Sequence, residues 1–237
     1  MENNFEERIF LPSSLIKLVF SVSKLFELSS YNEFSLLDTL EFALNAKYNL
    51  INDRGTFDEK EMAIFIFNVI LITVKFNTAN PNTRNELQAV MKQLGIENKE
   101  SIEQEFETFS LMNFKILDPY VVELIFNLVE VHLSAFQGKN DVFEKSLDIL
   151  RIAYFNRNAI YIKFTAGLST TETSNLKNDL KLFSSSIFIA TLKIFKFPFQ
   201  KQNEIFEKLT NEDEGGIQSA QNLNNLSSIV FEVAKQP

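Results

Sequence analysis

The stretch EMAIFIFNVILITVKF, residues 61–76, constrains this chain more than any other. From Met62 to Val74 it carries no charge, and its only polar side chains are Asn68 and Thr73. A helix that is apolar nearly all round has no face to give to water, so other elements must wrap it. The stretch is therefore expected to be the buried central helix of an all-α domain, with Ile64, Phe67, Val69, Ile70 and Leu71 inside. It ends on Lys75, whose ammonium needs a carboxylate, backbone carbonyls or water.

The rest of the chain reads as helices with short connections. Residues 11–28 place Leu15, Leu18, Val19, Val22, Leu25 and Phe26 on one face, with Pro12 and Ser13 suited to a first turn. Residues 35–50 repeat the pattern, and Thr56 with Glu59 offers a capping box for the central helix. Asn80-Pro81-Asn82 breaks the chain before a short helix, 84–94, ending at Gly95. In the next helix, 101–112, introduced by Asn98, the residues Ile102, Glu105, Phe109 and Met112 fall on one stripe, so Glu105 interrupts an apolar face while Glu103 and Glu107 lie off it. Asp118-Pro119 starts a helix over 120–136 with a polar stripe of Glu123, Asn127, Glu130 and Ser134. Further helices are expected at 142–155, 159–166, 176–195, 204–209 and 217–234. The apolar segment LFSSSIFIATLKIFKF, 182–197, resembles the central helix of the first half and also ends on lysines.

Several function classes are excluded or weakened by composition. With no cysteine and the single His132, thiolate metal sites, disulfides and the common nucleophile and base pairs have no residues to use. His132 lies opposite the polar stripe of its helix and reads as a packing residue. No phosphate loop, GxGxxG, HExxH or GxSxG motif occurs, and the carboxylates Asp58, Glu59 and Glu61 suit a helix start. The reading is a protein that is not an enzyme and uses no cofactor or metal. A net charge of -8 opposes a surface for nucleic acid. No apolar run reaches the roughly 18 residues of a membrane span, and the acidic start MENNFEERIF has no signal-like core, so an intracellular place, nuclear or cytoplasmic, is expected. The acidic groups at 2–7 and 212–214 read as solvated, and the 25 phenylalanines as a bias of composition.

These residues carry a resemblance to the cyclin box. Cyclins have a buried central helix ending in a lysine and an aromatic, commonly A-S-K-[FY]-E-E, and TVKFNT, 73–78, takes that place here. One helix later they carry a glutamate followed by a leucine and a phenylalanine. Setting Met112 and Phe114 on those two positions puts Glu105 on the glutamate, the residue already singled out by the stripe. The resemblance covers 11–136, an N-terminal cyclin box, with 137–237 similar to a degenerate second cyclin fold.

It implies an all-α protein of two tandem bundles of about five helices each. The implied function is a regulatory subunit that activates a cyclin-dependent protein kinase as a heterodimer, in a cell-cycle or transcriptional role. Lys75 and Glu105 would hold the kinase backbone, with Phe76, Phe109 and Tyr120 beside them as partner-binding residues. Asn77 and Thr78 replace the usual acidic pair, and LPSSL, 11–15, stands where many cyclins carry an M-R-A-I-L recruitment patch. The alternative is a cyclin-fold scaffold or adaptor that binds other proteins without a kinase.

Overall fold

The computed structural model describes residues 8–52, 59–78, 83–93, 98–211 and 220–236. Among these there are twelve helices and no strands, an all-α fold. The expected capping box at Thr56, the break at Asn80-Pro81-Asn82, the Gly95 cap and the acidic groups at 2–7 and 212–214 lie outside the described residues.

The chain forms two compact units. One is Leu11–Pro119; the other joins Tyr120–Pro237 to the leading segment through Phe10. The units divide at 119/120, whereas the resemblance sets the helix over 120–136 with the first half. The helix after Pro119 buries Val121, Val122, Ile125, Val129 and Leu133 among the helices that follow it, so its apolar face draws it into the second unit.

The first unit contains α1 (Ser13–Leu25), α2 (Ser30–Asn52), α3 (Glu59–Asn77), α4 (Thr83–Gln93) and α5 (Asn98–Leu111). Helix α3 is the expected central helix, packed by α2, α4 and α5. Ile64, Phe67, Val69, Ile70 and Leu71 are all buried, each worth about 1.5 to 3 kcal/mol of hydrophobic stabilisation. The buried Thr73 hydroxyl donates to the Val69 carbonyl at 2.8 Å, which lets a polar side chain sit in an apolar helix. On α1 the buried side is Ile16, Val19, Val22 and Ser23, while Leu25 is exposed, so its inner face is rotated from the one expected. The segment after α5 is tied to α2: Ser35 Oγ donates to Leu117 O at 2.7 Å, and Leu117 N–H donates to Thr39 Oγ1 at 3.0 Å.

The second unit contains α6 (Tyr120–Leu133), α7 (Lys139–Phe155), α8 (Arg157–Phe164), α9 (Thr170–Asn178), α10 (Leu180–Ile194), α11 (Phe199–Asn211) and α12 (Ala220–Ala234). The helix expected at 176–195 is two helices. Asp179 separates them, its carboxylate accepting from Leu182 N–H at 2.8 Å to cap α10. Helix α9 begins with a capping box in which Ser169 and Glu172 satisfy each other's backbone N–H groups.

Helix α10 is the buried centre here, wrapped by α6, α7, α11 and α12. His132 stacks on Phe188 of this core at 6.1 Å between ring centroids, a packing position. The largest buried side chain is Arg157. Its guanidinium lies 4.2 Å from the ring centroid of Phe10, 4.8 Å from Phe183 and 5.1 Å from Tyr154, an aromatic cage that favours the cation through the ring quadrupoles. Phe10 also meets Tyr161 at 5.0 Å, so the segment before α1 is anchored in the second unit.

Lys193, on α10, is half-buried. Burial lowers its pKa from 10.5, and its ammonium meets the hydroxyls of Ser227 and Ser228 at 3.3 and 3.5 Å. Because the folded pKa is lowered, the unfolded chain binds the proton more tightly. The resulting penalty is fully present at neutral pH and disappears as pH rises to 10.5. Denaturant unfolding should therefore show Lys193→Met to be the more stable protein at pH 7, with the difference closing toward pH 10.5. A penalty independent of pH would contradict this origin.

Candidate functional site

Lys75 is in the last turn of α3, where the C-terminal end of the helix dipole favours a cation. The helix end is fastened by Thr78, whose N–H and hydroxyl both donate to Val74 O, and by Asn32 Nδ2 donating to Asn77 O at 3.3 Å. Helix α5 packs across α3 and brings Glu105 onto the lysine, and the two form an ion pair in which both side chains are partly exposed. The stripe reading of α5 is reflected in burial: Met112 is buried, Glu105 and Phe109 are half-buried, and Glu107 is exposed. The side chains of Ile102 and Glu103 lie outside the described set.

Around the pair is an aromatic surface. Phe76 is 68% exposed, Phe106 70% and Phe114 55%, high values for rings of this size. They are not scattered. Phe76 meets Phe109 at 5.7 Å, Phe109 meets Phe114 edge-on at 5.2 Å, and Phe114 meets Phe106 at 6.0 Å. A groove of about 340 Å³ runs between Ile72, Lys75, Phe76, Glu105, Phe106 and Phe109. Both members of the ion pair line it, together with four apolar side chains.

The backbone after α5 holds this arrangement at a cost. Asn113 and Phe114 have φ of 52° and 56°, and a bulky residue in the left-handed region is a strained outlier. Phe114 N–H donates to Phe109 O at 3.0 Å and closes the turn, so the strain aims the Phe114 ring at Phe109. Phe114→Gly should therefore leave the first unit at least as stable in thermal unfolding while weakening any partner that uses the surface. A marked loss of stability would mean that the ring is there for packing.

Four of the five residues expected at a partner surface, Lys75, Phe76, Glu105 and Phe109, are thus together in the first unit. Tyr120, the fifth, opens α6 in the second unit, where it is exposed. Phe106 was missed by the periodicity because it lies off the Glu105 stripe. Its signal was an apolar ring between two glutamates, Glu105 and Glu107, on the solvent side of an amphipathic helix. Phe114 was legible only as an alignment position. A second groove, about 260 Å³, joins Lys47, Glu61, Phe65, Gln104, Glu107, Thr108 and Leu111.

No group of acidic or histidine side chains suited to a metal is present among the described residues, and no described helix is long and apolar enough to cross a membrane. Comparison with protein-family models, with curated proteins and with solved structures finds no match.

Proposed function

We propose that this chain is a cyclin-like regulatory subunit that binds a cyclin-dependent protein kinase through the Lys75–Glu105 surface. The observation that carries the reading is the ion pair set among the phenylalanines Phe76, Phe106, Phe109 and Phe114. A surface salt bridge alone contributes little, and a lysine at a helix end is ordinary. A pair beside a connected patch of exposed rings is different, because such patches mark protein contacts. On closure Lys75 donates to backbone carbonyls of the partner and Glu105 accepts from its N–H groups, each keeping the other compensated as water leaves. The rings supply the apolar contact. Pressing on the kinase C-helix would bring its glutamate to the lysine that orients ATP phosphates, so the chain acts by ordering and performs no chemistry.

Affinity capture of the full chain followed by identification of the retained proteins tests this. A kinase lost on mutation of the pair supports the reading; retention of other proteins through the same residues would support the adaptor reading instead. The family's recruitment of substrate peptides is a separate matter. In LPSSL, Leu11 is buried and Ser13 and Ser14 are exposed, so hydroxyls stand where an apolar patch would be needed. Peptides with an R-x-L motif should accordingly show no saturable binding in fluorescence anisotropy. Tight binding abolished by Leu15→Ala would show that this segment does recruit.

A further inference from the structure

The two units place a lysine at matching positions of their central helices. Ile72-Thr73-Val74-Lys75 of α3 corresponds to Ala190-Thr191-Leu192-Lys193 of α10. Both threonines are fully buried, and each donates to the carbonyl four residues back at 2.8 Å, Thr73 to Val69 and Thr191 to Ile187. Five residues earlier both helices bury a polar side chain, Asn68 and Ser186. Each central helix packs most extensively on the helix two further along the chain, α3 on α5 and α10 on α12.

What meets the two lysines differs. Helix α5 gives Lys75 a carboxylate, Glu105. Helix α12 gives Lys193 only the hydroxyls of Ser227 and Ser228. A hydroxyl solvates an ammonium without neutralising it, so in the second unit the charge is left half-buried and uncompensated. Ser227 is fully buried and its hydroxyl donates a hydrogen bond to Asn224 O at 3.1 Å. The third ammonium N–H and the Ser228 hydroxyl proton remain for an outside acceptor. Phe195 and Phe199, both exposed, follow within six positions, after a turn in which Lys196 has φ of 52° and Phe197 N–H donates to Leu192 O at 3.1 Å.

We propose that Lys193 and Ser228 form a docking point for an acidic side chain of a partner protein, one flanked by bulky apolar residues that lie on Phe195 and Phe199. Two donors match the two oxygens of a carboxylate, and a single negative charge balances a single ammonium. A phosphate dianion would bring surplus charge to a chain that is already at -8. The desolvation that depresses the Lys193 pKa is the cost such an anion would offset. The second unit would then take from its partner the carboxylate that the first unit supplies from within.

The test uses the full chain and an array of capped octapeptides, each with one glutamate between leucine and phenylalanine, beside the same peptides carrying glutamine. The wild type should retain glutamate peptides over their glutamine counterparts by roughly tenfold, the scale of a charge-assisted hydrogen bond. Lys193→Met should abolish that preference while remaining folded by thermal unfolding. Ser228→Ala should reduce it, and Lys75→Met should leave it intact, which separates this site from the surface proposed for the kinase. Absence of any preference for glutamate, or a preference that survives Lys193→Met, would overturn the proposal. So would displacement of the peptides by millimolar inorganic phosphate, which would mark a general oxyanion site.

Discussion

Under the proposed kinase reading, replacing Lys75 or Glu105 by alanine is expected to cost partner binding far more than it costs the fold. Truncating one member of a charged pair that becomes desolvated at an interface removes about 2 to 5 kcal/mol, part of it the penalty for stranding the other charge. At about 1.4 kcal/mol per factor of ten, this is roughly one to three orders of magnitude in Kd. In the free protein both side chains are partly exposed, so the same substitutions should change stability by less than about 1 kcal/mol. The double mutant should lose less than the sum of the singles because the residues share one contact. Glu107→Ala, an exposed neighbour on the other side of the helix, should bind as the wild type does. Co-purification and titration with whichever partner the wild type retains, beside thermal unfolding of each free variant, measures both effects. Normal binding by both single mutants would remove the basis of the activator reading.

Phe10→Ala should have the largest effect on stability outside the central helices. Its ring is buried, lies 4.2 Å from the Arg157 guanidinium and meets Tyr161 at 5.0 Å. Removing a buried phenylalanine ring costs about 3 to 5 kcal/mol from lost transfer energy and the cavity left behind. Arg157 would also lose the nearest wall of its aromatic cage. The second unit should melt roughly 10 °C or more below the wild type. Hydrogen exchange should show the loss in α10 and α12 and not in α3, and binding through Lys75 should survive below the transition. An unchanged melting temperature would mean that the segment before α1 contributes nothing to the unit in which its ring is buried.

The central helix, the place of Glu105 on an apolar face and most helix positions were legible because they rest on local rules, whereas the pairing of Glu105 with Lys75 came from the resemblance. An apolar run without charge forces burial, and the interval between Ile102, Glu105, Phe109 and Met112 marks a carboxylate on an apolar face whatever surrounds it. Helix α9 was not legible as a separate element because it buries almost nothing, although Ser169-Thr170-Thr171-Glu172 is a capping box written in the sequence. The division at 119/120 could not be read from α6, whose apolar residues fit any core; only packing decides which one. The cage around Arg157 is beyond periodicity for the same reason. A single arginine in a sequence looks like surface, and the rings of Phe10, Tyr154 and Phe183 converge on it from three distant places in the chain.

The anchoring of Phe10 has a consequence for the order in which the protein comes into being on the ribosome. Residues 11–119 emerge together and contain α2, α4 and α5, which pack on α3, so the first unit can close while synthesis is still in progress. Phe10 precedes that unit, yet Arg157 and Tyr161, its partners, follow about 150 residues later, a delay on the order of ten seconds at ordinary rates of elongation. Throughout that interval the Phe10 ring lacks the two partners it meets in the folded protein. The second unit must therefore close around a segment made before it, and chaperone engagement with nascent chains should be concentrated between the completion of α5 and the emergence of α8.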